Sequence, residues 1–331
     1  MATSETSAQD YLGNPHDRFT RHMLANLDNV RELVRRALPA EVVEQLDLAS
    51  LRPAKQSFVD QTLRSSHTDL VFETQLANGA EAFVVLLLEH KSSPDELTAF
   101  QVLRYIVRLG EERLRNKQPL CPVLPVVLYH GPRPWNAARS VRELVGGPAA
   151  FLEFVPDFTL PLVDLSQWSD DELREESLFM AYMSLLKYIH DDSLPARLVE
   201  FFRLLRRLLP PASGMECLEA VLRYLFSGAS QLSNDVLQAA VVQVFHEEGE
   251  SLMPTIAEQV FQAGLEKGEQ QGIEQGINRG LAHGELIGEI RVLQQMLGKA
   301  VSTREELRGK SLEELTELAG ELNAAASRRE N

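Results

Sequence analysis

His67-Thr68-Asp69-Leu70-Val71-Phe72, then Asn78-Gly79, then Phe83-Val84-Val85-Leu86-Leu87-Leu88-Glu89-His90-Lys91, is the stretch around which the chain is organised. Two apolar runs flank an Asn-Gly pair, a strong short-range signal for a β-hairpin. Asp69 and Glu89 each lie ten residues from Gly79. Antiparallel pairing therefore brings both to the open end of the hairpin, opposite each other or one diagonal step apart. Strand alternation puts Glu89 and Lys91 on one face and His90 on the other. Two carboxylates and an ammonium are thus expected together at the end of a buried hairpin.

That grouping has a chemical use. Two nearby carboxylates repel when ionised, and a divalent cation removes the repulsion. Hard Mg²⁺ or Mn²⁺ prefers carboxylate and water oxygens, and water bound to such an ion loses its proton more easily. Lys91 can orient the nucleophile or stabilise charge on a phosphate. An Asp followed twenty residues later by Glu-x-Lys also resembles the PD-(D/E)XK nuclease motif. A charged strand end that merely meets solvent is the plain alternative, because Glu-x-Lys is a common tripeptide.

With 331 residues, of which 44% are hydrophobic, the chain can form two domains or one domain with appendages. The longest apolar run, Ala82 to Leu88, is too short to span a membrane. The polar N-terminus lacks a signal pattern, so a cytoplasmic protein is expected. Cys121 and Cys217 show no metal-type spacing and read as buried reduced thiols. The net charge of −15 argues against broad non-specific nucleic-acid binding, so a nuclease of this composition needs a local basic surface and a metal.

Residues 1–13 read as disordered. A helical pattern follows Asn14-Pro15-His16-Asp17 up to Pro39, and a short helix follows through Val42, Val43 and Leu46. Lys55 to Thr62 reads as the first strand, ahead of the hairpin. Pro94-Asp95-Glu96 opens a helix on which Gln101 and Tyr105 are neighbours, with Arg104 and Arg108 beside them as candidate phosphate contacts. Pro122 to Tyr129 suggests a strand covered on both faces, and Phe158 to Leu165 an edge strand, since Pro161 suits an edge. The order predicts an α/β fold, a mixed sheet flanked by helices. Residues 171–250 read as a helical extension with breaks at Asp191-Asp192-Ser193, Pro210-Pro211 and Ser227-Gly228. Arg203, Arg206 and Arg207 in it read as a solvated helix face. His67 reads as a hydrogen-bonding residue beside the site, or alternatively a metal or phosphate contact, and His130 as structural.

From Gly264 to Gly288 a glycine recurs every fourth residue. Each costs a lone helix about 1 kcal/mol relative to alanine, yet small residues let another backbone approach closely. Residues 251–289 therefore read either as a helical arm that packs on a partner or as a flexible linker. Residues 290–331 read as a small helical module in which Ser311 and Glu314 fit a capping box.

Pro15-His16-Asp17-Arg18-Phe19, Ser57-Phe58-Val59-Asp60, His67-Thr68-Asp69-Leu70, Leu87-Leu88-Glu89-His90-Lys91-Ser92 and Val126-Val127-Leu128-Tyr129-His130-Gly131 together resemble the Rpn family. These are recombination-promoting nucleases, also called YhgA-like transposases, of the PD-(D/E)XK superfamily. The resemblance is strong over residues 14–170, weaker over the helical middle, and extends to the glycine arm. It implies a restriction-endonuclease-like core at 14–170 and a metal-dependent DNA endonuclease tied to recombination and mobile elements. Asp69 and Glu89 would be the ligands of Mg²⁺ or Mn²⁺, and Lys91 the catalytic lysine, at a place where many relatives carry Gln. Asp17, with His16, would be an accessory at the site's edge. Gln101 and Tyr105 resemble a Gln-x-x-x-Tyr element that positions the lysine and the DNA; an ordinary amphipathic helix is the alternative.

The expected activity is hydrolysis of a DNA phosphodiester by metal-activated water. A catalytically silent DNA-associated assembly protein and an RNA nuclease are the rivals. Leu265, Ile273, Ile277 and Leu281 each directly follow a glycine, so the arm is expected to pack on the same arm of a second copy. Removing residues 258–331 is expected to turn an oligomer into a monomer in light scattering while the rest stays folded. Identical masses for truncated and full-length protein would make the arm a linker.

Overall fold

The computed structural model describes residues 15–54, 69–89, 94–209 and 214–327, and gives only the backbone for 69, 85–89, 250, 267 and 271. Two compact units divide after Phe261.

In the first unit, Asn78-Gly79 makes the expected turn. Gly79 adopts φ +82°, a conformation that favours glycine, and its N–H donates to the Leu76 carbonyl at 2.8 Å. The turn joins β2 (Asp69–Leu76) to β3 (Glu81–Glu89). The helix α4 (Thr98–Arg115) then crosses to β4 (Val123–Tyr129), parallel to β3, and β5 (Leu162–Asp164) closes the far edge. The opposite edge is β1 (Leu46–Pro53), antiparallel to β2, and the sheet order is β1-β2-β3-β4-β5. This is a mixed α/β sheet.

β1 corrects the sequence reading, which took Leu46 as the tail of a helix. Leu46 and Leu48 are buried with Asp47 and Ala49 exposed between them, a strand alternation that a bulge then interrupts. The expected strand at 55–62 lies outside the described residues. The single helix expected before Pro39 is two, α1 (Pro15–Ala25) and α2 (Leu27–Ala37). Asn26 separates them and caps the second, its side-chain oxygen accepting from the Asp28 N–H at 2.9 Å. A short α3 (Ala40–Val43) follows. Cys121 and Cys217 are free but half-buried rather than fully buried.

Two cores flank the sheet. Phe83 and Val127 pack under α4 with Val102, Tyr105 and Leu109. Phe72, Val84, Val126 and Leu128 face the larger core. After the short α5 (Val141–Val145), α6 (Ala149–Leu152) and α7 (Asp170–Leu173), that core is covered by α8 (Leu178–Tyr188), α9 (Leu194–Leu208) and α10 (Gly214–Gly228), together with α1 and α2. At its centre Phe19 stacks on Tyr224, with ring centroids 4.2 Å apart, and meets Tyr182 edge-on. Truncating the fully buried Phe19 to alanine costs about 3–5 kcal/mol.

α11 (Asn234–Met296) contributes to both units. His246 breaks it with φ +52°, strained for a residue with a Cβ. The glycine ladder is helical throughout, and a Cβ added at Gly268, Gly272, Gly276, Gly280, Gly284 or Gly288 would meet nothing within 4 Å. In the second unit, Ile287, Ile290 and Leu293 pack against α12 (Arg304–Arg308) and α13 (Leu312–Ser327) through Leu307, Leu315 and Leu322. Among the described residues, no helix is long and apolar enough to cross a membrane.

Candidate functional site

The hairpin register sets the site's frame. Asp69 pairs with Leu87, so Glu89 lies two residues beyond its cross-strand partner, the diagonal relation. Glu89 pairs in turn with Tyr129, and Tyr129 with Asp164. The first residue of β2 and the last residues of β3, β4 and β5 thus gather at one end of the sheet. Ligands of open α/β sheets bind at such ends.

Positions 69 and 89 share the register parity of Phe83 and Val127, the residues under α4. Gln101 and Tyr105 lie in the first turns of that helix. The Gln101 amide donates to Asp95 at 3.2 Å, and Tyr105 is buried in the core beneath the helix. Arg104 is exposed and Arg108 half-buried. His67, His90 and Lys91 lie outside the described residues. Among the described residues, no group of three or more His, Cys, Asp or Glu is arranged to hold a metal ion.

The other face of the same end carries a cluster of imidazoles. His130 follows β4 directly and is buried. Its ring centroid lies 5.0 Å from that of His16, in the first turn of α1. His190, exposed just after α8, lies 5.1 Å from His16 on another side. His16 Nδ1 meets the Tyr224 hydroxyl at 2.8 Å. Burial pushes the Tyr224 hydroxyl well above the usual tyrosine range, so it stays protonated. Burial lowers His190, favouring its neutral form. Two imidazolium charges 5 Å apart repel by about 3 kcal/mol at an effective dielectric of about 20.

Beside His16, Asp17 is 6% exposed and accepts from Arg21 Nε through both oxygens, at 3.0 and 3.1 Å. Asp164 is structural, since its carboxylate accepts from the Trp135 and Ser166 N–H groups at 2.9 and 3.0 Å. Gly131 sits where an added Cβ would overlap the Tyr129 ring, which is why Tyr-His-Gly must end in glycine here. The Tyr129 hydroxyl donates to the Arg133 carbonyl at 2.8 Å across this turn.

Sequence reasoning placed His130 as structural and did not single out His190 or Tyr224. Nothing local marks His190; only the packing of α8 and α10 on α1 brings it to His16. The carboxylates at the opposite, turn end of the sheet are ion-paired, Glu73 with Arg52 and Glu81 with Arg113, each at 2.8 Å.

The sheet end thus gathers positions 69 and 89 and three imidazoles in one region of an α/β fold. The chain belongs to the family described as "Putative transposase, YhgA-like", whose model matches residues 14–214. It is 27% identical over 260 residues to the recombination-promoting nuclease RpnD of Escherichia coli O157:H7, covering 74% of this chain and 94% of that one. It is 26% identical to RpnC of E. coli K12, covering 76% of this chain and 82% of the relative. The inactive recombination-promoting nuclease-like protein RpnE of the same strain is 24% identical, covering 59% and 63%. No solved structure matches the chain.

The helices around the site carry a pH dependence of stability. On α1, burial lowers the pKa of His22, against smaller raising effects of Glu216 and Glu219. His190 is lowered likewise. Both take up a proton at lower pH in the fold than in the unfolded chain, where histidine does so near pH 6.5, so their stabilisation is complete above that pH and declines as pH falls below it. The thermal midpoint is expected to drop between about pH 7.5 and about pH 5.5, and the drop to shrink in His22→Gln/His190→Gln. An equal drop in that variant would show that neither group is linked to folding.

Proposed function

We propose that the chain is a metal-dependent endonuclease that hydrolyses DNA phosphodiester bonds in a recombination-linked setting, with a PD-(D/E)XK-type core. The observation that carries this reading is the diagonal register of Asp69 and Glu89 at one end of the sheet. Relatives named recombination-promoting nucleases point the same way.

Asp69 and Glu89 would hold Mg²⁺ or Mn²⁺. The register suits this, because it brings two hard oxygen donors to neighbouring strands, and the described carboxylates nearby, Asp17 and Asp164, already have donors. When bound, the ion offsets carboxylate repulsion and acidifies a coordinated water. Lys91 stabilises charge developing on the phosphate oxygens. Asp17 and His67 border the pair. Gln101 and Tyr105 position the lysine and the strand from α4, and Arg104 and Arg108 supply phosphate contacts on the same helix. The arm joins two copies, giving one active site per strand of a duplex.

A catalytically silent, DNA-associated protein is the second reading, favoured by the relative named inactive. The presence of Asp69, Glu89 and Lys91 in this chain speaks against it.

Glu89→Ala is expected to abolish nicking of supercoiled DNA in Mg²⁺, while the thermal midpoint in EDTA stays level or rises because repulsion is relieved. Cleavage by Glu89→Ala at the wild-type rate would overturn the site assignment. Wild-type cleavage of RNA but not DNA would reassign the substrate.

A further inference from the structure

In the second unit the last turns of α11 and the helix α12 enclose a cleft of about 550 Å³. Arg291, Arg304, Arg308 and Gln295 line it, with Gly284 and Gly288 among its backbone, and no carboxylate does. None of the three arginines forms an ion pair or hydrogen bond with a described residue, and Arg291 Nε is buried without a partner. Several arginines elsewhere in the chain are paired. Arg21, Arg36, Arg113, Arg197 and Arg223 all pair with carboxylates, as a net charge of −15 makes easy.

Two acids close in sequence are engaged elsewhere. Glu306 caps α12 by accepting from the Thr303 N–H at 2.8 Å. Glu289 accepts from the Asn323 amide at 2.7 Å. Gly284 and Gly288 leave the helix backbone bare, since a Cβ at either would meet nothing within 4 Å. Arg304 and Arg308, four residues apart on one helix, are neighbours on its surface. Guanidinium forks over an open backbone, with a buried N–H awaiting an acceptor, fit a tetrahedral oxyanion.

We propose that this cleft grips the phosphodiester backbone of the nucleic acid on which the first unit acts. The assignment of a nucleic acid, rather than another anion, rests on the function proposed above. Charge complementarity carries it further: an acidic chain repels nucleic acid overall, and a carboxylate-free arginine cleft is the kind of local surface that offsets this. The cleft belongs to the second unit and the sheet end to the first, so its proposed role is to hold the backbone rather than to act on the scissile bond.

The test is anisotropy of a short fluorescein-labelled duplex with the full chain across a salt series in EDTA, where cleavage is off. Arg291→Gln/Arg304→Gln/Arg308→Gln is expected to weaken low-salt binding about tenfold or more. It should also lower the slope of log K against log salt by about 2–3, near 0.9 per lost phosphate. Arg304→Gln/Arg308→Gln, both exposed and remote from the packed face of α12, should give about two-thirds of that change and guards against misfolding of the triple variant. In Mg²⁺ the triple variant should raise KM and leave kcat level. Unchanged affinity and slope overturn the proposal, as does polyglutamate binding that depends on the three arginines when duplex binding does not. The two readings separate cleanly: wild-type cleavage with an unchanged slope removes the cleft alone. Arginine-dependent binding without any cleavage removes the nuclease reading alone.

Discussion

The pairing of β2 with β3 is the constraint on which the site depends. Side chains alternate along a strand, so a slip of one residue would exchange the faces of every position in the hairpin. Two things hold the register. Gly79 supplies the left-handed turn residue, and Phe72, Val84 and Ala82 are buried where a slip would bring polar neighbours. With the register held, Asp69 and Glu89 stand on the diagonal, and the parallel β3–β4 ladder carries the same sheet end across to Tyr129 and His130. The acidic pair is therefore positioned by packing some distance from it, in the hairpin's middle.

Helices then complete the two faces. α4 covers the face that shares parity with positions 69 and 89, and its burial of Tyr105 and Leu109 fixes where Gln101, Arg104 and Arg108 fall around it. On the opposite face, the Phe19–Tyr224 stack locks α1 to α10, and the preceding turn of α1 carries His16 to the Tyr224 hydroxyl. One buried aromatic pair thereby connects the stability of the large core to the geometry of the imidazole cluster. Removal of the Tyr224 hydroxyl would loosen His16 without opening the core.

How much of this was legible in the sequence follows from how local each signal is. The hairpin, β4 and the edge strand β5 were readable because Asn78-Gly79, an unbroken apolar run and Pro161 each act within a few residues. β1 was not, since Leu46-Asp47-Leu48 makes sense as a strand only once β2 lies beside it, and Leu46 also continued the spacing of Val42 and Val43. The break at Asn26 was hidden inside a continuous apolar period. At the site, the carboxylates announced themselves by symmetry about the turn. His190 could not, because it meets His16 only after two helices have packed, and neither residue's neighbours in sequence mention the other. The glycine ladder shows the same limit from the other side: its period is plain, but what it packs on is not written in the period.

The claim that the acidic pair and the imidazoles share one sheet end can be measured directly with Mn²⁺. Substoichiometric Mn²⁺ broadens NMR signals of nuclei near its site. The rings of His67 and His90, which adjoin Asp69 and Glu89 in sequence, should broaden first, and those of His16, His130 and His190, assigned by single His→Gln variants, next. His246, which sits beside Arg206 well down α9 from His190, should remain sharp at the same Mn²⁺ level. The selective broadening should vanish in Asp69→Ala. Selective broadening that survives Asp69→Ala, or broadening of His246 equal to that of His16, His130 and His190, would contradict the shared sheet end.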